Sequence, residues 1–114
     1  MDDIPRIDPR DGQLLCPYCG NSYLHHIEVR VYDRGEDDDL TDVTRVKDGL
    51  AATHREPSLG CDNPSSRRDG VEILFWCEDC YDPDKGNDSR VFLTIAQHKG
   101  NTVMGWRKKS RWKV

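Results

Sequence analysis

Long apolar runs are missing from this 114-residue chain. None approaches the roughly 20 residues that a membrane-crossing helix requires, so no bilayer span is expected. The apolar period of an amphipathic helix is missing over any window of about ten residues, and no helix is expected either. Aromatic residues are scarce at 8%, and apolar residues in all reach 35% against 33% charged. A core built from so little must be thin, and one domain is the most that the length supports. There is no Gly-rich phosphate loop and no paired-carboxylate signature, so no enzymatic motif stands out. The acidic stretch 33–42, with Asp37-Asp38-Asp39, lacks the ligand spacing of an EF-hand and reads as a solvated loop. The polar start, Met1-Asp2-Asp3-Ile4-Pro5-Arg6, lacks the apolar core of an export signal, so the expected location is the cytoplasm.

Cysteine is what the chain does have. Cys16-Pro17-Tyr18-Cys19-Gly20 and Cys77-Glu78-Asp79-Cys80 are two Cys-x-x-Cys pairs, with Cys61 left over. Four thiolates complete the tetrahedral shell of a structural Zn2+. Such a closed shell leaves no position for a reacting water, so it bears on folding rather than on turnover. Disulfide pairing is the competing use, and the missing export signal and the odd fifth thiol weigh against it. A thioredoxin-like redox site would need a βαβ setting, of which there is no sign. Pro17 fixes φ within the first pair, and Gly20 tolerates the positive φ of a tight metal-binding turn. His25 and His26 follow closely. Adjacent strand residues point to opposite faces, so at most one could face an ion, and both are expected outside a complete cysteine shell.

The rest of the chain reads as strands and turns. Residues 1–13 are expected to be a flexible leader and 108–114 a basic tail, flanking a domain over 14–107. Residues 23–32 alternate apolar and polar side chains, rich in β-branched types, as a half-buried strand does. Val43–Val46 and Leu50–Thr53 flank Asp48-Gly49, a hairpin signal. Residues 56–70 form a loop by composition. Strands are expected over 71–76, 91–96 and 102–106, with a turn at Lys99-Gly100-Asn101. Strand, knuckle, strand, twice over, describes an all-β, mainly antiparallel, zinc-ribbon-like fold. Here 57 residues separate the two pairs, against about 15 to 20 in a simple ribbon. Closing a longer loop costs entropy only slowly, so the insertion is compatible with one shared ion.

Several strings carry a resemblance: Leu15-Cys16-Pro17-Tyr18-Cys19-Gly20, Tyr23-Leu24-His25-His26, Asn63-Pro64-Ser65-Ser66-Arg67-Arg68-Asp69-Gly70, Phe75-Trp76-Cys77-Glu78-Asp79-Cys80 and Ile95-Ala96-Gln97-His98-Lys99-Gly100. In their order over residues 14 to 107 the chain resembles a family of short Cys-x-x-Cys proteins of actinobacteria, their phages and prophages. The resemblance implies a bacterial cytoplasm and a role in phage–host biology. It implies no particular chemistry.

Charge supplies the remaining candidates. The net charge of −4 conceals an asymmetry, because His98–Val114 carries six basic residues and no acidic one. The first 97 residues therefore hold 11 basic and 21 acidic residues. An acidic body with a basic end reads on charge alone as solubility with an unstructured end, ahead of a tail that meets phosphate or an acidic partner. Arg67 and Arg68, at the end of a turn built by Asn63 and Ser65, could fork onto phosphate oxygens or pair with local carboxylates such as Asp62 and Asp69. Arg107, Lys108, Lys109, Arg111 and Trp112, extended by Lys99, combine cations with an aromatic ring suited to stacking on bases. The leading expectation is a non-catalytic, zinc-stabilised module that binds nucleic acid through these residues. The alternative is a module that binds a protein of the host. The acidic body favours the alternative, since it opposes approach to DNA. A small hydrolase or nuclease using Ser65, His54 or Cys61 ranks behind both, because nothing in the sequence sets their geometry.

Overall fold

Apolar–polar patterning together with cross-strand pairing makes six strands. The computed structural model describes residues 4–80 and 89–108. Its strands are β1 (Leu24–Asp33), β2 (Leu40–Lys47), β3 (Leu50–Pro57), β4 (Gly70–Cys77), β5 (Arg90–His98) and β6 (Asn101–Arg107). They form one antiparallel sheet in the order β3-β2-β1-β4-β5-β6. Two three-stranded meanders are thus joined through the β1–β4 pair. The expected hairpin at Asp48-Gly49 is present, with both residues at positive φ, 54° and 78°. Lys99-Gly100 makes the same kind of turn, at 50° and 81°. Two central residues in the left-handed region match the twist of the flanking strands. No helix occurs among the described residues, as expected.

The two faces of the sheet are covered differently. On one face lie Glu28, Tyr32, Thr41, Val43, Glu72, Leu74 and Phe92, all buried. The connection 58–69 crosses this face. Gly70 lies beneath it: a Cβ there would sit 2.8 Å from Pro64 Cδ and Cγ. Glu72 is fully buried, where the Tyr32 hydroxyl donates to it at 3.1 Å and Arg107 Nη1 lies 3.0 Å away. Glu28 is shared by Arg30 at 2.9 Å and Arg45 at 3.2 Å. Desolvated carboxylates of this kind persist only with such cationic and hydrogen-bonded partners.

On the opposite face the buried part lies toward the cysteines. Val91, Leu93 and Trp106 pack there with Leu14, Leu24, Ile73 and Phe75, and Phe75 meets Trp106 edge-on at 6.1 Å. Leu14 is held by the leader. Ile7 bridges to Leu14, and the Leu15 N–H donates to the Arg6 carbonyl at 3.0 Å. Farther from the cysteines this face is open, and Val31, Val46 and Met104 are exposed.

Candidate metal centre

Pairing of β1 with β4 is what unites the two distant knuckles. Leu24, the first residue of β1, is the register partner of Cys77, the last of β4. The turn that leads into β1 and the turn that leaves β4 therefore share one end of the sheet. The backbone ties them further: the Glu78 N–H donates to the Tyr23 carbonyl at 3.1 Å. The Asn21 amide donates to Asp79 Oδ2 at 2.8 Å. Within the first knuckle the Gly20 N–H closes onto the Cys16 carbonyl at 2.9 Å, with Gly20 at φ 79°. The Tyr18 N–H points at Cys16 Sγ, 3.4 Å away.

These turns gather Cys16, Cys19, Cys77 and Cys80, whose sulfurs all lie within 4.8 Å of one another. Cys16 Sγ is 3.8 Å from Cys80 Sγ, and Cys19 Sγ is 3.7 Å from Cys77 Sγ. A tetrahedron of sulfurs about 2.3 Å from a central ion has edges of about 3.8 Å. A disulfide would need about 2.05 Å. The donor set and its spacing therefore fit a metal ion. It is the one such group of His, Cys, Asp and Glu side chains among the described residues.

The thiols are electrostatically unequal. Burial opposes ionisation of Cys16, but the N–H groups of Cys19 and Tyr18 and the neighbouring thiols outweigh it, so its thiol ionises below the ordinary range. Burial and the thiol of Cys16 push Cys77 up to about 11. Burial, followed by the surrounding thiols, raises Cys80 as well. One negative charge is favoured in the cluster and further ones repel it. A divalent cation at the centre would reverse that preference, drawing protons from the remaining thiols as it binds.

Neither His25 nor His26 belongs to the four-sulfur group. His25 Nε2 lies 3.1 Å from Glu78 Oε1, and its ring is 5.3 Å from that of Trp76. Lys108 Nζ stands 5.6 Å above the Tyr18 ring, tying the end of the last strand to the first knuckle.

The basic candidates meet different fates. Arg67 Nη2 pairs with Asp37 at 2.7 Å and Arg68 Nη2 with Glu36 at 2.7 Å. Their partners come from the acidic loop 34–39 and are neither Asp62 nor Asp69. Asp69 instead accepts the Arg34 N–H at 2.8 Å. Arg107 reaches Glu72 and donates to the Asp62 carbonyl at 3.1 Å. Lys99 is exposed at the β5–β6 turn. Lys109, Arg111 and Trp112 lie outside the described residues.

The three residues named for hydrolytic chemistry also have other occupations. The Ser65 hydroxyl donates to the Gln97 carbonyl at 2.7 Å and accepts the Arg68 N–H at 3.0 Å. His54 Nε2 lies 2.6 Å from Glu56 Oε2. Burial, then a hydrogen bond with Glu56, pushes the Cys61 thiol up to about 11, which leaves it a poor nucleophile at neutral pH.

What sequence reasoning missed was mostly non-local. The Asn21–Asp79 tie and the Arg67–Asp37 pair join residues 58 and 30 positions apart, and no local pattern announces them. Comparisons with protein-family models, with curated proteins and with solved structures find no match.

Proposed function

We propose that this protein is a non-catalytic binding module, stabilised by one Zn2+ held by Cys16, Cys19, Cys77 and Cys80, that engages another protein through the open side of its sheet. The sulfur spacing of 3.7 and 3.8 Å supports the ion. Zinc is favoured among thiophilic metals because a closed four-thiolate shell suits a structural ion without redox chemistry. The choice of a protein partner rests on one contrast. Arg67, Arg68 and Arg107 already face carboxylates, while Val31, Val46 and Met104 stay exposed on one apolar face. Contiguous apolar surface marks protein contact more than phosphate contact. The resemblance to phage-borne proteins makes a host protein the natural candidate. A nucleic-acid role would instead lean on Lys99, Lys108 and the Lys109–Val114 segment.

Elemental analysis of the purified full chain is expected to give one zinc per chain. Chelation should unfold it, and Cys77→Ser should behave like chelated protein, because in a domain this small ligation energy is folding energy. A folded chain without bound metal, indifferent to chelator, would overturn the metal assignment. A labelled single-stranded DNA should show no affinity at low salt. Tight binding that falls steeply with salt and weakens in Lys108→Ala would overturn the protein-partner reading in favour of nucleic acid.

A further inference from the structure

The strand register aligns the open face into two continuous rows. One runs Ala51–Val46–Val29–Ile73–Leu93–Trp106 and the other Thr53–Thr44–Val31–Val71–Ile95–Met104. Both cross all six strands, and none of their twelve positions carries a charge. Leu93 and Trp106 are buried in the core near the cysteines. Of the rest, Val31 and Val46 are each 41% exposed and Met104 44%. A sheet with an apolar face ordinarily buries it against a second layer. Among the described residues the connection 58–69 covers the other face, whereas on this one Leu14 and the leader that holds it pack only at the cysteine end.

We propose that the second layer is the same face of a second copy of this chain, packed sheet on sheet about a two-fold axis. This rests on the protein-binding reading above and narrows it, setting a second copy of the chain in place of a host protein as the occupant of the open face. Three observations select a second copy. First, the exposed and half-buried positions of the two rows are mainly Val and Ile, the composition of a sandwich interior, and obligate homodimer interfaces resemble such an interior cut in half. Second, the exposed part has neither the Tyr and Trp nor the Arg anchors that carry most hetero-interfaces. Third, a two-fold contact sets a surface against itself, and an uncharged surface does so without like-charge repulsion. The charged rim is already neutralised where Arg55 pairs with Asp42 at 2.8 Å.

Area sets the strength. Six strands about 4.8 Å apart and two rows about 7 Å apart span roughly 29 by 14 Å, on the order of 400 Å² per copy or roughly 800 Å² in total. That lies below the roughly 1,000 Å² of a stable specific interface, in the range of weak, transient contacts. The dimer is therefore concentration-dependent, in the range where both states are populated.

Sedimentation velocity on the metal-loaded full chain, over roughly 1 to 500 μM, tests this. The weight-average mass is expected to climb from monomer toward dimer, and Val31→Lys should hold it at monomer while retaining bound metal. Met104→Lys, on a different strand, gives the same readout if Val31→Lys fails to fold. Lys99→Ala, at the turn outside the face, should dimerise like wild type. A wild type that stays monomeric throughout, or a dimer indifferent to both face substitutions, overturns self-association. The broader reading fails separately. If a monomeric wild type and its Val31→Lys variant capture the same proteins from a host lysate, the open face binds no protein at all.

Discussion

At the residue scale, the string Asn63–Gly70 shows how much one loop can settle. Asn63 Oδ1 accepts the Ser65 N–H at 3.0 Å, and its amide donates to the Arg68 carbonyl at 2.8 Å. This is an Asx turn of the kind its composition announces. The turn then lies on β4, with Pro64 over Gly70. Any side chain at 70 would meet Pro64 at 2.8 Å, a contact that a rigid ring cannot escape by rotation. Gly70→Ala is therefore expected to cost about 2 kcal/mol through overpacking, read as a lower denaturant midpoint with an unchanged slope. A shift under about 0.5 kcal/mol would mean that the loop moves aside freely.

At the scale of elements, the β2–β3 hairpin stands apart from the other pairs. Nearly every residue of β3 is exposed, so its ladder and its turn hold it more than burial does. The turn requires positive φ at Asp48 and Gly49. Nothing lies within 4 Å of a Cβ at Gly49, so a side chain there would suffer only backbone strain. Gly49→Val is expected to cost about 1 to 2 kcal/mol, the usual penalty for a branched residue in the left-handed region. Amide exchange should accelerate along β3 and leave β4 and β5 protected, because weakly buried units open locally before the whole fold does. Uniform acceleration across the sheet would show that the hairpin opens only with the rest.

At the scale of the whole molecule, charge pairing links stability to acidity. The Arg67 guanidinium hydrogen-bonds Asp37 and holds its carboxyl below the usual range, and Arg55 does the same for Asp42. A carboxyl depressed in the folded state contributes stability above its unfolded value near 4, and loses it as pH falls through the folded value. Both pairs are exposed, so salt screens them. Stability should be flat from neutral pH down to about 5 and decline below about 4. Arg67→Gln should make that decline shallower at low ionic strength, because Asp37 would lose the cation that depresses it most, keeping only the weaker pull of Arg34 and Arg68. Equal acid profiles for the variant and wild type, followed by circular dichroism, would show that the Arg67–Asp37 pair does not couple to folding.

The sequence by itself determined the pieces whose physics is local. Two Cys-x-x-Cys turns, a strand over 23–32, and the turn chemistry of Asp48-Gly49 and Lys99-Gly100 depend on neighbours a few positions apart and are where they were expected. The alternation in β1, however, is interrupted between His26 and Glu28, and it is Glu28 and Tyr32 that are buried while Ile27 and Val31 are exposed. Strands β2 and β3 run longer than the apolar pattern implied, because pairing extends them to Leu40–Lys47 and Leu50–Pro57 whether or not their side chains are buried. The tertiary structure alone decided which partners meet. It placed Glu72 inside the core opposite Tyr32 and Arg107, gave Arg67 and Arg68 to Glu36 and Asp37, and laid residues 58–69 across one face of the sheet while Val31, Val46 and Met104 stay exposed on the other. Periodicity says that a strand has two faces. Which of them is covered depends on where a distant loop comes to rest, and no window of sequence contains that information.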